Sequence, residues 1–295
     1  MLNFGSDKMR LSHNLASLSL YRKYSKDLKD GSVALGRITS GQKINSSKEG
    51  ATKIGQSELL RVQIRGLEMA RRNTQDGASM MQTVDGAMDS ITTAIKRIKE
   101  LSVQAANGTN TDIDKQSIQE EIDAMKAHIN TTAKNTEFNG VKLLDDKYCD
   151  SIDNPSYYDM MSGANVGENI KIPMYKVNTS TLTGKDGTPL DKIDVMGSPE
   201  QLQKNLDIAD GALTKALQIR SKYGALQQRF ESVSGNNEEF SAILQNAESS
   251  IRDADLAEEM LNYSKNDILI NASIAMMTQS NNLPQDALKI LERVK

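Results

Sequence analysis

The chain has 295 residues with 36 Lys and Arg against 39 Asp and Glu, two His and one Cys. These counts exclude an internal disulfide, a Cys-rich zinc site and a His-based metal centre. With 4% aromatics and no Trp, a core built on large rings is not expected.

A net charge of −3 also argues against nucleic acid, because the basic stretches lack the interleaved aromatics of a stacking surface. No apolar run reaches membrane-spanning length, and Met1 to Lys8 lacks the apolar stretch of a secretory signal. The expectation is a chain that does not insert in a membrane.

The first segment, 1–45, carries a sparse apolar stripe of Leu11, Leu15, Leu18, Tyr21, Tyr24, Leu28, Leu35 and Ile38, interrupted by Gly31 and Gly36. The second, 46–145, opens at Ser46-Ser47-Lys48-Glu49, whose pattern predicts a capping box. No proline occurs in the first 154 residues. Since proline inside a helix costs about 3 kcal/mol, a helix from Ser46 to about Asn107 is permitted, roughly 90 Å long at 1.5 Å per residue. Val84, Met88, Ile91, Ile95, Ile98 and Ala105 advance by threes and fours along it, with Ser102 the polar interruption. A turn at Asn107-Gly108-Thr109-Asn110 precedes a second helix marked by Ile118, Ile122, Met125 and Ile129.

From 146 to 199 the pattern changes. Pro155, Pro173, Pro189 and Pro199 cluster there with several glycines, and Asn169 to Val177 alternates polar and apolar residues as a strand does. This is a small β-containing insert. Helical spacing resumes over 200–252, with stripes at Tyr223, Leu226, Phe230, Val233 and at Phe240, Leu244, Ala247, Ile251. The last segment, 253–295, carries Leu256, Met260, Tyr263, Ile270, Ile274, Met277, Leu288 and Leu291. The expected fold is mostly α: a long antiparallel helical bundle or coiled-coil rod with a β-hairpin-containing insert.

Catalytic signatures are missing. There is no phosphate-binding glycine loop, H-E-x-x-H or G-x-S-x-G. Asp253, Asp255, Glu258 and Glu259 sit in a helical context beside Arg252, where capping and ion pairing are expected rather than acid–base work. Cys149 has no His near it in sequence. Neither an enzyme nor a cofactor is expected.

Charge is unevenly distributed. Residues 1–72 hold 14 Lys and Arg against 6 Asp and Glu, whereas 198–295 hold 10 against 14. That asymmetry favours antiparallel pairing of the chain's two ends. As an isolated hairpin those ends bury too little apolar area to offset chain ordering. Either they fold when many copies pack together, or they dock on the central helices. Narrow stripes at both ends favour the first, and contacts that do not close into a ring produce a helical filament.

The motifs carry a specific resemblance. Arg37 to Ala51, Ile64-Arg65-Gly66-Leu67, Arg72 to Gly77, Ile98 to Asn110 and Phe138 to Leu144 resemble conserved blocks of bacterial flagellins. So do Ser250 to Glu259 and Asn282 to Leu291 at the other end. The resemblance covers both ends of the chain and omits the insert.

It implies a subunit of the bacterial flagellar filament, exported through the hollow filament to an extracellular location. The implied partners are further copies of the chain, an export chaperone, and cap and junction proteins; a hook–filament junction protein is the alternative. It further implies that the terminal helices form the filament's inner core. Their polymerising residues would be Leu11, Leu15, Leu18, Leu28, Leu35, Ile38, Leu256, Met260, Tyr263, Ile270, Ile274, Met277, Leu288 and Leu291. Finally, it implies recognition by the flagellin-sensing Toll-like receptor through Arg97, Leu101 and Glu121. The polar stretch Asn178 to Thr183 is a candidate outer-surface glycosylation loop.

Overall fold

The computed structural model describes residues 14–145, 152 and 154–293. Five helices carry most of them: α1 (Leu15–Ser40), α2 (Ser47–Ala105), α3 (Asp112–Asn135), α4 (Pro199–Arg252) and α5 (Leu256–Arg293). Four short strands, β1 (Glu137–Phe138), β2 (Val141–Lys142), β3 (Ser156–Met161) and β4 (Asn169–Met174), form two antiparallel hairpins.

The chain divides into two compact units, one of residues 1–61 with 244–295 and one of residues 62–243. The divisions fall inside α2 and inside α4, not at the 45/46 and 252/253 breaks where the sequence changes character.

In the larger unit the predicted stripe of α2 is the heart of the core. Val84, Met88, Ile91, Ile95 and Ile98 are fully buried, with Ile118, Ile122 and Ile129 of α3 and Ala212, Ala216, Ile219, Tyr223 and Phe230 of α4. Ser102 is buried too, and its hydroxyl donates to the Ile98 carbonyl one turn back, which satisfies the polar interruption. Polar pairs at the rim fix the pairing directions. Arg97 meets Glu121 of α3 while the Ser90 hydroxyl meets His128 of the same helix, Lys99 meets Asp210 of α4, and Arg220 of α4 spans Asp85 and Asp89. Both neighbours therefore run antiparallel to α2.

The helix starts are resolved by short-range chemistry. Thr111 caps α3 through a reciprocal box with Asp114. The box expected at Ser46 is shifted by one residue. The Glu49 carboxylate accepts from the Asn45 N–H at 3.1 Å and the Glu49 N–H donates to the Ser46 carbonyl at 3.0 Å. Gly50 then leaves helical geometry, so the first turn is kinked from the rest of α2. Asn139 and Gly140 both adopt positive φ and join β1 to β2 in a two-residue turn.

The insert is part of the core and not an appendage. The predicted strand alternates as expected, with Ile170, Ile172 and Met174 buried and Lys171 exposed. Beyond it Tyr175, Val177, Leu182, Leu190, Ile193 and Val195 are buried in the same cluster as the helices. Tyr175 packs edge-on against Tyr223, and the Tyr223 hydroxyl donates to the Pro173 carbonyl. Three large aromatics, Tyr175, Tyr223 and Phe230, are thus fully buried in a core otherwise built of Ile, Leu, Met and Ala. Lys126 of α3 is nearly buried and donates to the Asp191 and Ile193 carbonyls, tying α3 to the end of the insert.

The Asn178 to Thr183 stretch differs from expectation. Thr179 is buried against Asn130, Leu182 is in the core, and the Thr181 hydroxyl donates to the Lys176 carbonyl. These hydroxyls close a turn against α3, so the stretch is not an open polar loop.

Candidate assembly surfaces

In the smaller unit α1 and α5 run antiparallel, and the fully buried positions between them are small or polar, with Leu20, Tyr24, Ile38, Ile270 and Met277 of the two helices half-buried. Gly31 and Ala34 are buried on α1 with Asp27. Ser273, Ser280 and Glu259 are buried on α5. A Cβ at Gly31 would meet the Asn266 Cβ at 3.5 Å and the Ile270 Cδ1 at 4.0 Å, ordinary van der Waals contacts, so the helices are close enough here for a small side chain to span them. Arg37 donates to Glu259 at 2.9 Å across this interface.

At the opposite end Asn14 serves both helices. Its Oδ1 accepts from the Ser17 N–H and caps α1, while its Nδ2 donates to the Ser280 carbonyl at 2.9 Å. That carbonyl is the one an ordinary residue at position 284 would have bonded; Pro284 has no N–H to offer.

The apolar side chains face the other way. Of the residues implied for polymerisation, Leu15, Leu18, Leu28 and Leu35 of α1 are exposed, as are Leu256, Met260, Tyr263 and Ile274 of α5. Leu15 keeps 70% of its surface. Ile38, Ile270 and Met277 are half-buried. Leu11 and the side chains of Leu288 and Leu291 lie outside the described residues.

Three more exposed residues on α5, Leu261, Ile268 and Met276, were missed because they lie off the single stripe that was followed. Apolar residues therefore surround more of α5 than one seam, a sign legible in the sequence as apolar positions at every register. Leu59, Val62 and Met69 of α2 and Phe240 and Ile243 of α4 are exposed as well. Phe240 is the exposed member of a predicted stripe whose other residues, Leu244, Ala247 and Ile251, are half-buried.

This arrangement inverts the usual helical hairpin. A soluble pair buries its apolar stripes together and turns polar residues outward. Here the fully buried positions are small or polar, and most of the large apolar side chains are outside. Each large apolar side chain covered is worth on the order of 1.5–3 kcal/mol, so the exposed faces are strong surfaces for further association.

A second cluster lies on the larger unit. Arg97 Nη2 sits 2.6 Å from Glu121 Oε1, Nε donates to the same oxygen at 2.8 Å, and Nη1 reaches Glu100 at 3.3 Å. The Glu121 hydrogen bond, and then Glu100, hold the Arg97 pKa above its ordinary value. Both Arg97 and Glu121 are open to solvent. Leu101 is not: at 1% exposure it belongs to the core. Four residues turn a helix by about 40° beyond a full circle, so Arg97 stands at the rim of the stripe whose centre Leu101 occupies. The surface at this place is formed by Arg97 with its partners Glu121 and Glu100.

Among the described residues no group of His, Cys, Asp and Glu is arranged to hold a metal. No described helix is long and apolar enough to cross a membrane. The acidic residues near the start of α5 have structural partners: Asp255 accepts from the Ala257 and Glu258 N–H groups and caps the helix, and Glu259 pairs with Arg37.

Residues 11–148 match the family model of the bacterial flagellin N-terminal helical region, and residues 206–291 match that of the C-terminal helical region. A flagellin of Halalkalibacterium halodurans is 36% identical over 283 residues, spanning 96% of this chain and all of the relative. A flagellin of Bacillus subtilis is 35% identical over 303 residues with the same coverage. Among solved structures, a candidate flagellar hook-associated protein of Vibrio parahaemolyticus has a TM-score of 0.59 at 13% identity, over 70% of this chain and all of the other, which is a likeness of fold.

Proposed function

This chain belongs to the bacterial flagellin family, and from that membership we propose that it polymerises through the outward apolar faces of α1 and α5. As a flagellin it is a structural component of the extracellular flagellar filament. The observation that carries the proposed mode of assembly is the inverted hairpin, with Gly31, Ala34, Ser273 and Ser280 inside and Leu15, Leu28, Met260 and Ile274 outside. Among the described residues nothing covers those side chains. Neighbouring copies of the same chain present the matching surface, and a head-to-tail arrangement that does not close extends without limit. The ends order as they assemble, because only then is apolar area removed from water to offset the entropy of fixing the helices.

Seeded polymerisation followed by electron microscopy tests this. Ile274→Asp places a charge on the exposed face and is expected to abolish filaments while leaving the helical signal of the larger unit intact. Filaments of normal length and abundance from this variant would sink the proposal. Export to the growing tip by a chaperone, and contact there with cap and junction proteins, are part of the same reading.

The hook–filament junction alternative shares the fold, but the extent of identity to filament flagellins favours the filament. A purified chain that caps seeds without elongating them would favour the alternative.

Arg97 and Glu121 form the exposed pair that we assign to recognition by the flagellin-sensing Toll-like receptor, with Leu101 supporting it from beneath. Receptor-reporter cells treated with monomeric Arg97→Ala protein should respond less than to the parent chain. An equal response would remove the pair from that role.

A further inference from the structure

The two segments that join the apolar end helices to the rest of the chain are short, 41–46 between α1 and α2 and 253–255 between α4 and α5. Neither has length enough for a fold of its own, yet both are tied. Gln42 and Asp253 form an isolated antiparallel bridge. The Lys43 N–H donates to the Arg252 carbonyl at 2.7 Å, and the Ala254 N–H donates to the Gly41 carbonyl at 3.0 Å. Gly41 makes the approach possible by closing α1 in the left-handed region, at φ +69°.

One side chain holds the bridge on the helical side. Arg252 is the last residue of α4. Its Nε donates to the Gln42 side-chain carbonyl at 3.0 Å, and its Nη1 reaches the Ser57 hydroxyl at 3.3 Å and the Glu58 carboxylate at 3.0 Å. Ser57 is fully buried and donates onward to Glu248 at 3.1 Å. The guanidinium is largely covered, with 17% of its side-chain surface exposed. It thus joins the C-terminal end of α4, the linker before α2 and the first turns of α2 itself. Only a planar, multi-donor group meets three acceptors on two elements at once.

Every member of this network lies within 41–58 or 248–254. Its ties to α1 are confined to that helix's last turn, where Gly41 caps it and the Gln42 N–H donates to the Ser40 hydroxyl, so the network needs neither the rest of α1 nor α5 to be folded. We propose that this Arg252 clasp is closed in the free subunit, where it fixes the roots of α1 and α5 side by side before the helices themselves are ordered. The inference rests on the assembly reading above for its purpose, since fixed roots make the pairing of the two ends an intramolecular event with a set register. Its structural content stands apart from that reading. The α1–α5 interface of Gly31, Ala34, Ser273 and Ser280 offers few large side chains to interlock. The Arg37–Glu259 pair and the Asn14 contact to the Ser280 carbonyl fix register once the helices have formed, and the clasp sets it earlier, at the root.

Residue-resolved hydrogen exchange on the unpolymerised full chain tests the clasp without reference to filaments. The Lys43 and Ala254 amides are expected to be at least tenfold better protected than amides in the outer halves of α1 and α5. Arg252→Ala should remove that protection while Ile91 and Ile98 of the larger unit keep theirs. Arg252→Lys retains the charge but not the three-way geometry and should also lose it. Gln42→Ala removes a single arm, with less risk to folding, and should lower protection at Lys43 by a smaller factor. Unprotected Lys43 and Ala254 in the parent monomer would overturn the proposal, as would parental protection in both Arg252 variants. Filament formation is not read in this experiment, so a failure of the assembly reading leaves a distinct signature.

Discussion

Asn14 uses one amide group to hold two helices, and the reason lies 270 positions away in Pro284. The proline deletes the donor that should have served the Ser280 carbonyl, and the Asn14 Nδ2 takes its place. A double-mutant cycle exposes the dependence. Asn14→Ala should cost about 1 kcal/mol in the parent, as loss of a cap and one hydrogen bond does. It should cost measurably less in a Pro284→Ala background, where the backbone donor is restored. Melting of assembled filaments is the readout, and equal costs in both backgrounds would contradict the coupling.

Charged caps give a pH signature at the same scale. The Thr111 hydroxyl holds the Asp114 pKa below its ordinary value, and Asn165 does the same for Glu168. Their folded pKa values are depressed, so their contribution is complete above the ordinary carboxylate range and is lost as pH falls through the lower folded values. Urea midpoints of the monomer should be flat from neutral pH to about 5 and fall in more acidic solution. Asp114→Asn should flatten part of that fall. Arg97 and Arg220 are shifted upward and stay charged throughout this range, so they add no slope. Thr111 and Asp114 are three apart and could have been recognised, whereas Asn14 and Ser280 are joined only by the fold.

The long elements show where periodicity is sufficient and where it is not. Along α2 the step of three and four residues named the buried face correctly, because burial on that helix is one-sided from Val84 to Ala105. The kink at Gly50 was not legible, since Glu49 could reach either Ser46 or Asn45 and only the chain's path decided between them. Gly77 was also silent in the sequence. On α2 it faces Phe230 of α4 and Met160 of β3, and a Cβ there would stand 2.8 Å from the Phe230 ring and 2.7 Å from the Met160 sulfur. Gly77→Ala is therefore expected to destabilise the larger unit by about 1–3 kcal/mol, despite alanine's better helix propensity. Chemical denaturation followed by far-UV circular dichroism measures this, and a stabilised variant would refute the packing argument. The insert was read correctly as a hairpin, but its burial was not, because Leu182, Leu190 and Ile193 are single apolar residues scattered in a loop-like sequence.

At the scale of the molecule, composition divides the chain by purpose. The unit of residues 62–243 gathers a large apolar cluster into its own core, as an independently stable fold requires. The α1–α5 pair fully buries only small and polar groups between its helices and leaves most of its large apolar side chains exposed. Sequence stripes marked the residues on both ends but did not say which way they faced, since an apolar stripe reads the same whether its partner is in the same chain or the next. Hydroxyl-radical footprinting of the subunit before and after polymerisation measures that facing directly. Leu28, Met260, Tyr263 and Ile274 are expected to react readily in the monomer and to lose most of that reactivity in filaments, while Arg97 and Glu121 serve as residues outside the hairpin for comparison. Unchanged reactivity of the four apolar side chains in well-formed filaments would contradict assembly through these faces.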